Sequence, residues 1–320
     1  MGKRVHSFVI GGAGFIGSHL VDQLVERGPV TVFDNLSVGK SAFLAEPIAS
    51  GRATLVCGDA LDLPALAVAM QGHDVVFHLA ANPEARHGLT NTRLDLEQGT
   101  IATYNALEAA RLGCVKRFVL ASSGTVYGNV SVPCGERDLG HLPISLYGAS
   151  KLASEAMLAA FVECFALEGV ICRFGNVVGS RGTHGVLLDF CKKLKDHPDH
   201  LDVLGDGHQS KPYLHVRDCV AGLLFVLDHT QGGALRPAIY NIAPPNSTSV
   251  ARIAELCVAA SPNPSARIAF GTDVQGWRGD VPHSCLKPDK LAALGFRVTR
   301  SSDEAVQLAV TEIAREVFGG

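Results

Sequence analysis

The chain has 320 residues, 47% hydrophobic and 18% charged, and carries a formal net charge of −3. Such a composition supplies a large core and, on length, allows two domains. With no block of like charges it argues against nucleic acid as a partner. No apolar run approaches the ~20 residues of a membrane span, so no membrane insertion is expected.

Nine cysteines are scattered, with no Cys-x-x-Cys pair and no cysteine–histidine cluster at zinc spacing. An odd number of thiols suits a reducing compartment. Met1-Gly2-Lys3-Arg4-Val5-His6 has charge but no apolar core behind it, so no secretory leader is expected. The expected location is the cytoplasm. His184, His197, His200, His208, His215 and His283 form no HxH or HxxxH pair, and no metal is expected.

Val5 to Ile10 reads as a buried strand. Gly11-Gly12-Ala13-Gly14-Phe15-Ile16-Gly17 follows at once, then a helical pattern through Ile16, Leu20, Leu24 and Val25, closed by Gly28 and Pro29. Strand, glycine turn and helix are the context of a phosphate cradle. Bare glycines let a pyrophosphate approach the backbone, and the helix N-terminus offers free N–H groups. The spacing is GxxGxxG rather than GxGxxG. A turn without a ligand is the plainer alternative, and three glycines at this position favour the cradle. Val30 to Phe33 is a second strand ending at Asp34, 17 residues beyond Gly17. A carboxylate there accepts bonds from the adenine ribose and repels a 2′-phosphate, and no arginine follows closely. The pattern therefore predicts NAD rather than NADP. A turn-forming aspartate is the alternative.

Ala53 to Cys57 is a third strand followed by Gly58-Asp59. Asp74 to Leu79 is a fourth, running into His78-Leu79-Ala80-Ala81, where small residues leave room for a nicotinamide over the strand end. Asn91 to Leu112 reads as one long helix closed by Gly113. Lys116 to Ala121 is a fifth strand, delivering Ser122-Ser123-Gly124-Thr125-Val126-Tyr127-Gly128 at the edge where ligands bind in such sheets. Alternating strands and helices predict an α/β fold, a doubly wound parallel sheet of Rossmann type.

Tyr147 and Lys151 then stand four apart, on one face of a helix. An ammonium beside a phenol lowers the phenol from about 10 toward neutral, and the pair becomes a general acid and base. A surface tyrosine packed on a lysine stem is the alternative. The hydroxyls of Ser122 and Ser123, which can bond the reacting oxygen, favour the chemistry. The helix is expected to run to about Leu167 and end at Gly169. It is apolar around most of its girth (Leu152, Ala153, Met157, Ala160, Phe161, Phe165), so a second copy of the chain is expected against it. Val170 to Phe174 is a sixth strand, leading into Gly175-Asn176-Val177-Val178-Gly179.

Beyond Asn176 the alternation weakens. Val186 to Leu194 reads as a short helix and Leu201 to Leu204 as a short strand before Gly205-Asp206-Gly207. Ser249 to Ala260, with Ser249 as N-cap, and Ser301 to Val317 read as amphipathic helices. The boundaries expected are a dinucleotide domain over 1–175, with 210–243 returning to it, and a smaller mixed cap over 176–320, mainly 176–209 and 244–320.

These motifs, with Tyr213-Leu214-His215-Val216, Asp218, Tyr240-Asn241-Ile242 and Gly279-Asp280-Val281, resemble the extended short-chain dehydrogenase/reductases, in particular the NAD-dependent nucleotide-sugar epimerase/dehydratase family. Ser-Ser-x-Thr-Val-Tyr-Gly is most similar to the UDP-glucose 4-epimerases. The resemblance implies Tyr147 as catalytic base, Lys151 as its electrostatic partner and ribose ligand, and Ser123 as the hydroxyl beside the reacting oxygen. It implies a cofactor site from Gly11, Gly14, Phe15, Ile16 and Gly17. Asp34, Asn35, Ser37 and Gly39 join it on the ribose side, and Asp59 and Ala60 at the adenine. Leu79, Ala80, Ala81 and Ser122 complete it beside Tyr147 and Lys151. A UDP-sugar substrate would meet Thr125, Asn176, Val203, Lys211, Arg278 and Ser284. Lys211-Pro212 replaces the family's Arg-Asp, Trp277 replaces an arginine, and Leu96 replaces the asparagine before the long helix.

The implied reaction is epimerisation at C4 through a 4-keto sugar. A 4,6-dehydratase would need an Asp-Glu pair where Gly124 and Thr125 stand, and a decarboxylase usually has glutamate at Thr125. A 4-keto-sugar reductase would prefer NADPH. An NAD-sensing binding protein without turnover would tend to lose the Tyr/Lys pair.

Overall fold

The computed structural model describes residues 5–130, 132–138, 141–229 and 236–319. Residues 1–4, on which the expected absence of a leader partly rests, lie outside them. Strand β1 (Ser7–Ile10) is buried throughout and turns at Gly11 into helix α1 (Phe15–Leu24). There follow β2 (Val30–Asp34), α2 (Ala45–Ala49), β3 (Ala53–Cys57), α3 (Leu63–Ala69), β4 (Val75–His78) and α4 (Ala102–Leu112). Next come β5 (Arg117–Ser123), α5 (Leu146–Phe165), β6 (Glu168–Phe174), β7 (Asn176–Val178), α6 (Val186–Asp196) and β8 (His200–Val203). The chain continues through β9 (Ser210–Lys211), β10 (Tyr213–His215), α7 (Val216–His229) and β11 (Ala238–Ile242). It closes with β12 (Thr248–Ser249), α8 (Val250–Ala259), β13 (Arg267–Phe270), α9 (Asp289–Ala293) and α10 (Ser302–Phe318).

Seven strands form the parallel sheet expected from the sequence, in the order β11-β6-β5-β4-β1-β2-β3. The chain builds outward from β1 to β3, then reverses and builds from β4 the other way. β1 lies between β2 and β4, with Ile10 level with Phe33 and His78. The reversal makes the C-terminal ends of β1 and β4 a topological switch point, where such sheets bind ligands. One face of the sheet, including Phe8, Ile10, Val76, Phe118 and Ile171, packs on Leu66, Ala106, Leu158 and Phe161 of α3, α4 and α5. Burying each of the large side chains contributes about 1.5–3 kcal/mol.

Residues 91–112 are not one helix. Leu96–Ile101 is a widened π-turn, and regular helix begins at Ala102. The bare Gly99 faces α5, where a Cβ would lie 2.5 Å from Ser150 Oγ. Thr103 Oγ1 donates to the Gly99 carbonyl at 2.6 Å, holding the wider turn. α5 stops at Phe165, ahead of Ala166 in a left-handed conformation. Gly169 lies inside β6, where a Cβ would meet Val162 and Pro237, so it is a packing glycine.

The chain divides into two compact units, Met1–Ser123, Leu146–Arg173 and Leu223–Tyr240 in one, and Gly124–Ser145, Phe174–Gly222 and Asn241–Gly320 in the other. The returning segment is thus shorter than 210–243, because β10 pairs with β7 rather than joining the large sheet. Gly124–Ser145 goes with the second unit, where Tyr127 Oη donates to Asn241 Oδ1 at 2.7 Å and Cys134 N donates to the Cys285 carbonyl at 2.9 Å. The second unit has its own core of α6, α8 and α10, with Leu187, Phe190, Ile253, Cys257, Ala309 and Ile313. Ser249 caps α8 as expected, and Ser301 caps α10 reciprocally with Glu304. Among the described residues no helix is long and apolar enough to cross a membrane.

Candidate active site

α1 starts at Gly14, which has no side-chain cap, so its first-turn N–H groups face outward. Gly11 has φ +79°, and a Cβ on it would lie 2.7 Å from Ala80 N. Any side chain there would push the β1 turn off the end of β4. Gly17 abuts the Gly11 carbonyl too closely for a Cβ. Phe15 and Ile16 are half-buried on the first turn of α1, and Leu79, Ala80 and Ala81 leave β4 beside the cradle.

Asp34 ends β2 and is buried. Its Oδ2 accepts from Ala13 N at 2.9 Å and its Oδ1 from Leu36 N at 2.8 Å. Leu36 is left-handed, with φ 58°, a costly conformation for leucine that this bond compensates. Asn35 donates to Asp59 Oδ2 at 3.0 Å and accepts from Ser37 Oγ at 2.7 Å. Asp59 Oδ1 accepts from Leu61 N at 2.9 Å, next to Ala60. Gly39 lies on Ala13, and Lys40 N donates to the Ala13 carbonyl at 2.9 Å. These residues make one hydrogen-bonded rim around the glycine turn. Lys40 holds its Nζ over the Phe43 ring, 5.6 Å from its centroid. Bare glycines under an uncapped helix start, with the buried Asp34 carboxylate at the end of the next strand, fit NAD. NADP⁺ is expected to bind at least tenfold more weakly than NAD⁺, because its extra phosphate meets Asp34. Equal affinities by calorimetry would refute that expectation.

Tyr147 lies in the first turn of α5, with Lys151 one turn on and its Nζ 5.7 Å from the ring centroid. Lys151 is buried and donates to the Ala121 carbonyl at 2.8 Å, at the end of β5. Ser123, the last residue of β5, hydrogen-bonds the phenol. Ser122 points the other way. Its Oγ donates to Glu155 Oε1 at 2.6 Å, and Glu155 also accepts from Arg173 Nε at 2.9 Å and Nη2 at 2.6 Å. The Ser122 hydroxyl hydrogen is thereby committed to Glu155.

The phenol does not move toward neutral. Burial pushes Tyr147 up to about 12, opposed by the Ser123 bond and reinforced by the charge of Asp95. Burial pushes Lys151 down to about 8, opposed by Glu155 and Asp95. The sequence reading weighed the ammonium's attraction, but the cost of charging a buried group exceeds it here. Lys151 donates one N–H to the Ala121 carbonyl while its Nζ lies over the phenol ring, 5.7 Å from the centroid. His78 is pushed down to about 3 by burial and by Lys151, so it is neutral, with Nε2 3.0 Å from Thr103 Oγ1.

The other expected residues lie in the second unit. Thr125 is half-buried, and its carbonyl accepts from Gly128 N at 3.2 Å. Asn176 begins β7, exposed, with its N–H donating to the Pro212 carbonyl at 2.8 Å. Val203 is buried at the end of β8. Lys211 Nζ donates to Asp280 Oδ1 at 2.5 Å, and Ser284 N donates to the Ser210 carbonyl at 3.2 Å. β9 therefore joins Lys211, Asp280 and Ser284, while Arg278 is exposed. Among the buried polar residues that escape sequence reasoning are Asp95, Asn82 and Gln209, the last with an unpartnered side-chain amide. Nothing in their sequence context marks them as buried.

A parallel sheet with a glycine turn at its switch point, and a serine–tyrosine–lysine group where β5 meets α5, defines a dinucleotide-dependent enzyme of the short-chain dehydrogenase/reductase type. The profile of the NAD dependent epimerase/dehydratase family matches residues 7–243. The chain belongs to that family, with NAD as cofactor, and modifies nucleotide sugars. A crystal structure of UDP-galactose 4-epimerase is similar, with a TM-score of 0.87 and 38% identity over 98% of this chain and 100% of that one. A dTDP-glucose 4,6-dehydratase of Actinoplanes is 31% identical over 84% of this chain and 85% of its own. A UDP-N-acetyl-alpha-D-glucosaminuronate decarboxylase of Bacillus cytotoxicus is 33% identical over 77% of each chain.

Proposed function

We propose that the protein epimerises a nucleotide-diphosphate sugar at C4, with a UDP-hexose as the favoured substrate. The observation that carries this reading is the makeup of the β5 edge. Tyr147, Ser123 and Lys151 supply one acid–base group, and Gly124 and Thr125 add no ionisable side chain. One such group suffices to remove a proton from a hydroxyl and return it. Elimination across C5–C6 needs a second acid and base, which the dehydratases of the family carry where Gly124 and Thr125 stand. Likeness to UDP-galactose 4-epimerase along nearly the whole chain points the same way.

When bound, NAD supplies the hydride acceptor at C4 and then the donor. With substrate and cofactor in place the Tyr147 phenol gives up its own proton to solvent, and the phenolate Oη then takes the C4 hydroxyl proton, with Ser123 Oγ holding the same oxygen. Lys151 stabilises the phenolate electrostatically and, through Ala121, stays fixed to β5. The 4-keto sugar then presents its other face, and Tyr147 returns the proton. The diphosphate competes with Asp280 for Lys211, with Asn176 as a further ligand. Nine free thiols suit a reducing cytoplasm as the place of action.

The test is a panel of UDP-, GDP-, CDP- and dTDP-sugars with the C4 epimers resolved. A 4-keto-6-deoxy product or release of carbon dioxide would replace this reading with that of a dehydratase or decarboxylase. A panel without turnover, but with tight NAD binding, would favour an NAD sensor. Ser284 is small and half-buried, and we assign it to the sugar pocket. Ser284→Tyr is expected to lower kcat/KM for UDP-N-acetylglucosamine at least tenfold more than for UDP-glucose. Equal penalties would remove Ser284 from the pocket.

A second copy of the chain is proposed against α4 and α5, where Tyr104, Leu112, Met157 and Phe165 are exposed. Sedimentation of a monomer at micromolar concentration would rule it out.

A further inference from the structure

Asp95 stands beside the acid–base group and has no task in the reaction above. It is 1% exposed. It opens the widened turn Leu96–Ile101, whose Gly99 abuts Ser150 of α5. Its Oδ1 accepts from Asn82 Nδ2 at 3.0 Å. Asn82 is itself braced, donating to the Glu84 carbonyl at 3.0 Å and accepting from Glu84 N at 3.1 Å. Oδ2 is buried without a hydrogen-bond partner. A methyl group built on Gly88 would lie 2.6 Å from that oxygen and 3.5 Å from Leu146 Cβ. The carboxylate is therefore about one methyl group from the residue preceding Tyr147.

The ionisable groups that feel Asp95 are Tyr147 and Lys151 on α5 and His87 on the turn after β4. Glu84 and Arg86 on that turn bond each other at 2.8 Å, as do Arg93 and Glu97 beside Asp95 at 2.7 Å. Those pairs largely cancel. An unpaired buried carboxylate oxygen is costly and calls for an explanation.

We propose that Asp95 is a positioning residue of the Tyr147–Lys151 group, a buried carboxylate with one unpartnered oxygen that Asn82 and the π-turn hold next to the first turn of α5. This rests on Tyr147 and Lys151 being the acid–base group. One charge acts oppositely on the two partners. It favours the ammonium against the cost of burial, alongside the larger contribution of Glu155, and it opposes the phenolate until substrate and cofactor are in place. Asn82 and the π-turn fix the distance over which it acts.

The test is Asp95→Asn, which keeps the shape and removes the charge. The readout is the titration of the Lys151 ¹³Cε resonance in lysine-labelled protein, assigned with Lys151→Met. The midpoint, about 8 in the native chain, is expected to fall by about one unit. Asp95→Glu is expected to restore it, and both limbs of the kcat pH profile of Asp95→Asn should move to lower pH. If Asp95→Asn does not fold, Asp95→Ser, which can still accept from Asn82, takes its place. A lowered melting temperature with an unmoved Lys151 midpoint would make Asp95 merely structural and overturn the proposal. The titration needs no substrate. A moved midpoint in an enzyme that turns over no sugar would therefore count against the proposed reaction alone.

Discussion

Tyr147→Phe is expected to lose turnover by about 10²–10⁴-fold while binding NAD⁺ within a few-fold of the native affinity. The substitution removes one oxygen, the donor and acceptor of the proposed proton transfer. It strands little. The phenol is neutral in the resting chain, pushed up to about 12, so no buried charge loses its partner. Ser123 loses one bond, but β5 and α5 remain tied by Lys151 and Ala121 at 2.8 Å. The fold and cofactor cradle should therefore survive, and the loss should fall on kcat. Calorimetry with NAD⁺ and single-turnover kinetics on the converted sugar separate the two effects. Turnover near the native rate would remove Tyr147 from the chemistry.

Arg173→Ala should produce the largest loss of stability. Arg173 is fully buried in β6 and bonds Glu155 through two nitrogens, at 2.9 and 2.6 Å. Removing one partner of a buried pair leaves the other charge unpaired, at a cost of about 3–5 kcal/mol. For a chain of this size that lowers the melting temperature by roughly ten degrees. Glu155 would also lose its anchor for Ser122, loosening the strand end that carries Ser123. The double variant Arg173→Met, Glu155→Leu should recover most of the loss, because apolar groups of similar volume need no partner. A single variant that melts within two degrees of the native chain would show that Glu155 finds other partners.

The fold was legible because its signals are local. The β1 strand, the glycine turn and α1 follow one another without a gap, and the shift from period two to period 3.6 marks each later element. What escaped is set by packing between distant segments. Gly99 faces Ser150, and that contact turns the expected long helix into a π-turn. Gly169 reads as a helix stop, yet it is bare because Val162 and Pro237 crowd it. Tyr147 and Lys151 were visible from their spacing, but the direction of the phenol's shift was not. That direction depends on burial and on Asp95, which stands far upstream in sequence. Lys211 was marked for a phosphate by its motif, and its bond to Asp280 appears only in three dimensions.

The Asp34 carboxylate offers a lesson for redesign. Changing an NAD enzyme to accept NADP usually begins by exchanging the acid at the end of β2. In this chain that acid is also a bracket. One oxygen holds Ala13 in the glycine turn, and the other holds Leu36 in its left-handed turn. Exchanging Asp34 alone would release both segments together, so affinity for either nucleotide should fall before selectivity changes. A glycine at Leu36 would remove the strain that Asp34 now restrains. Cofactor engineering here should therefore treat residues 34–40 as one replaceable cassette, with Leu36→Gly introduced first.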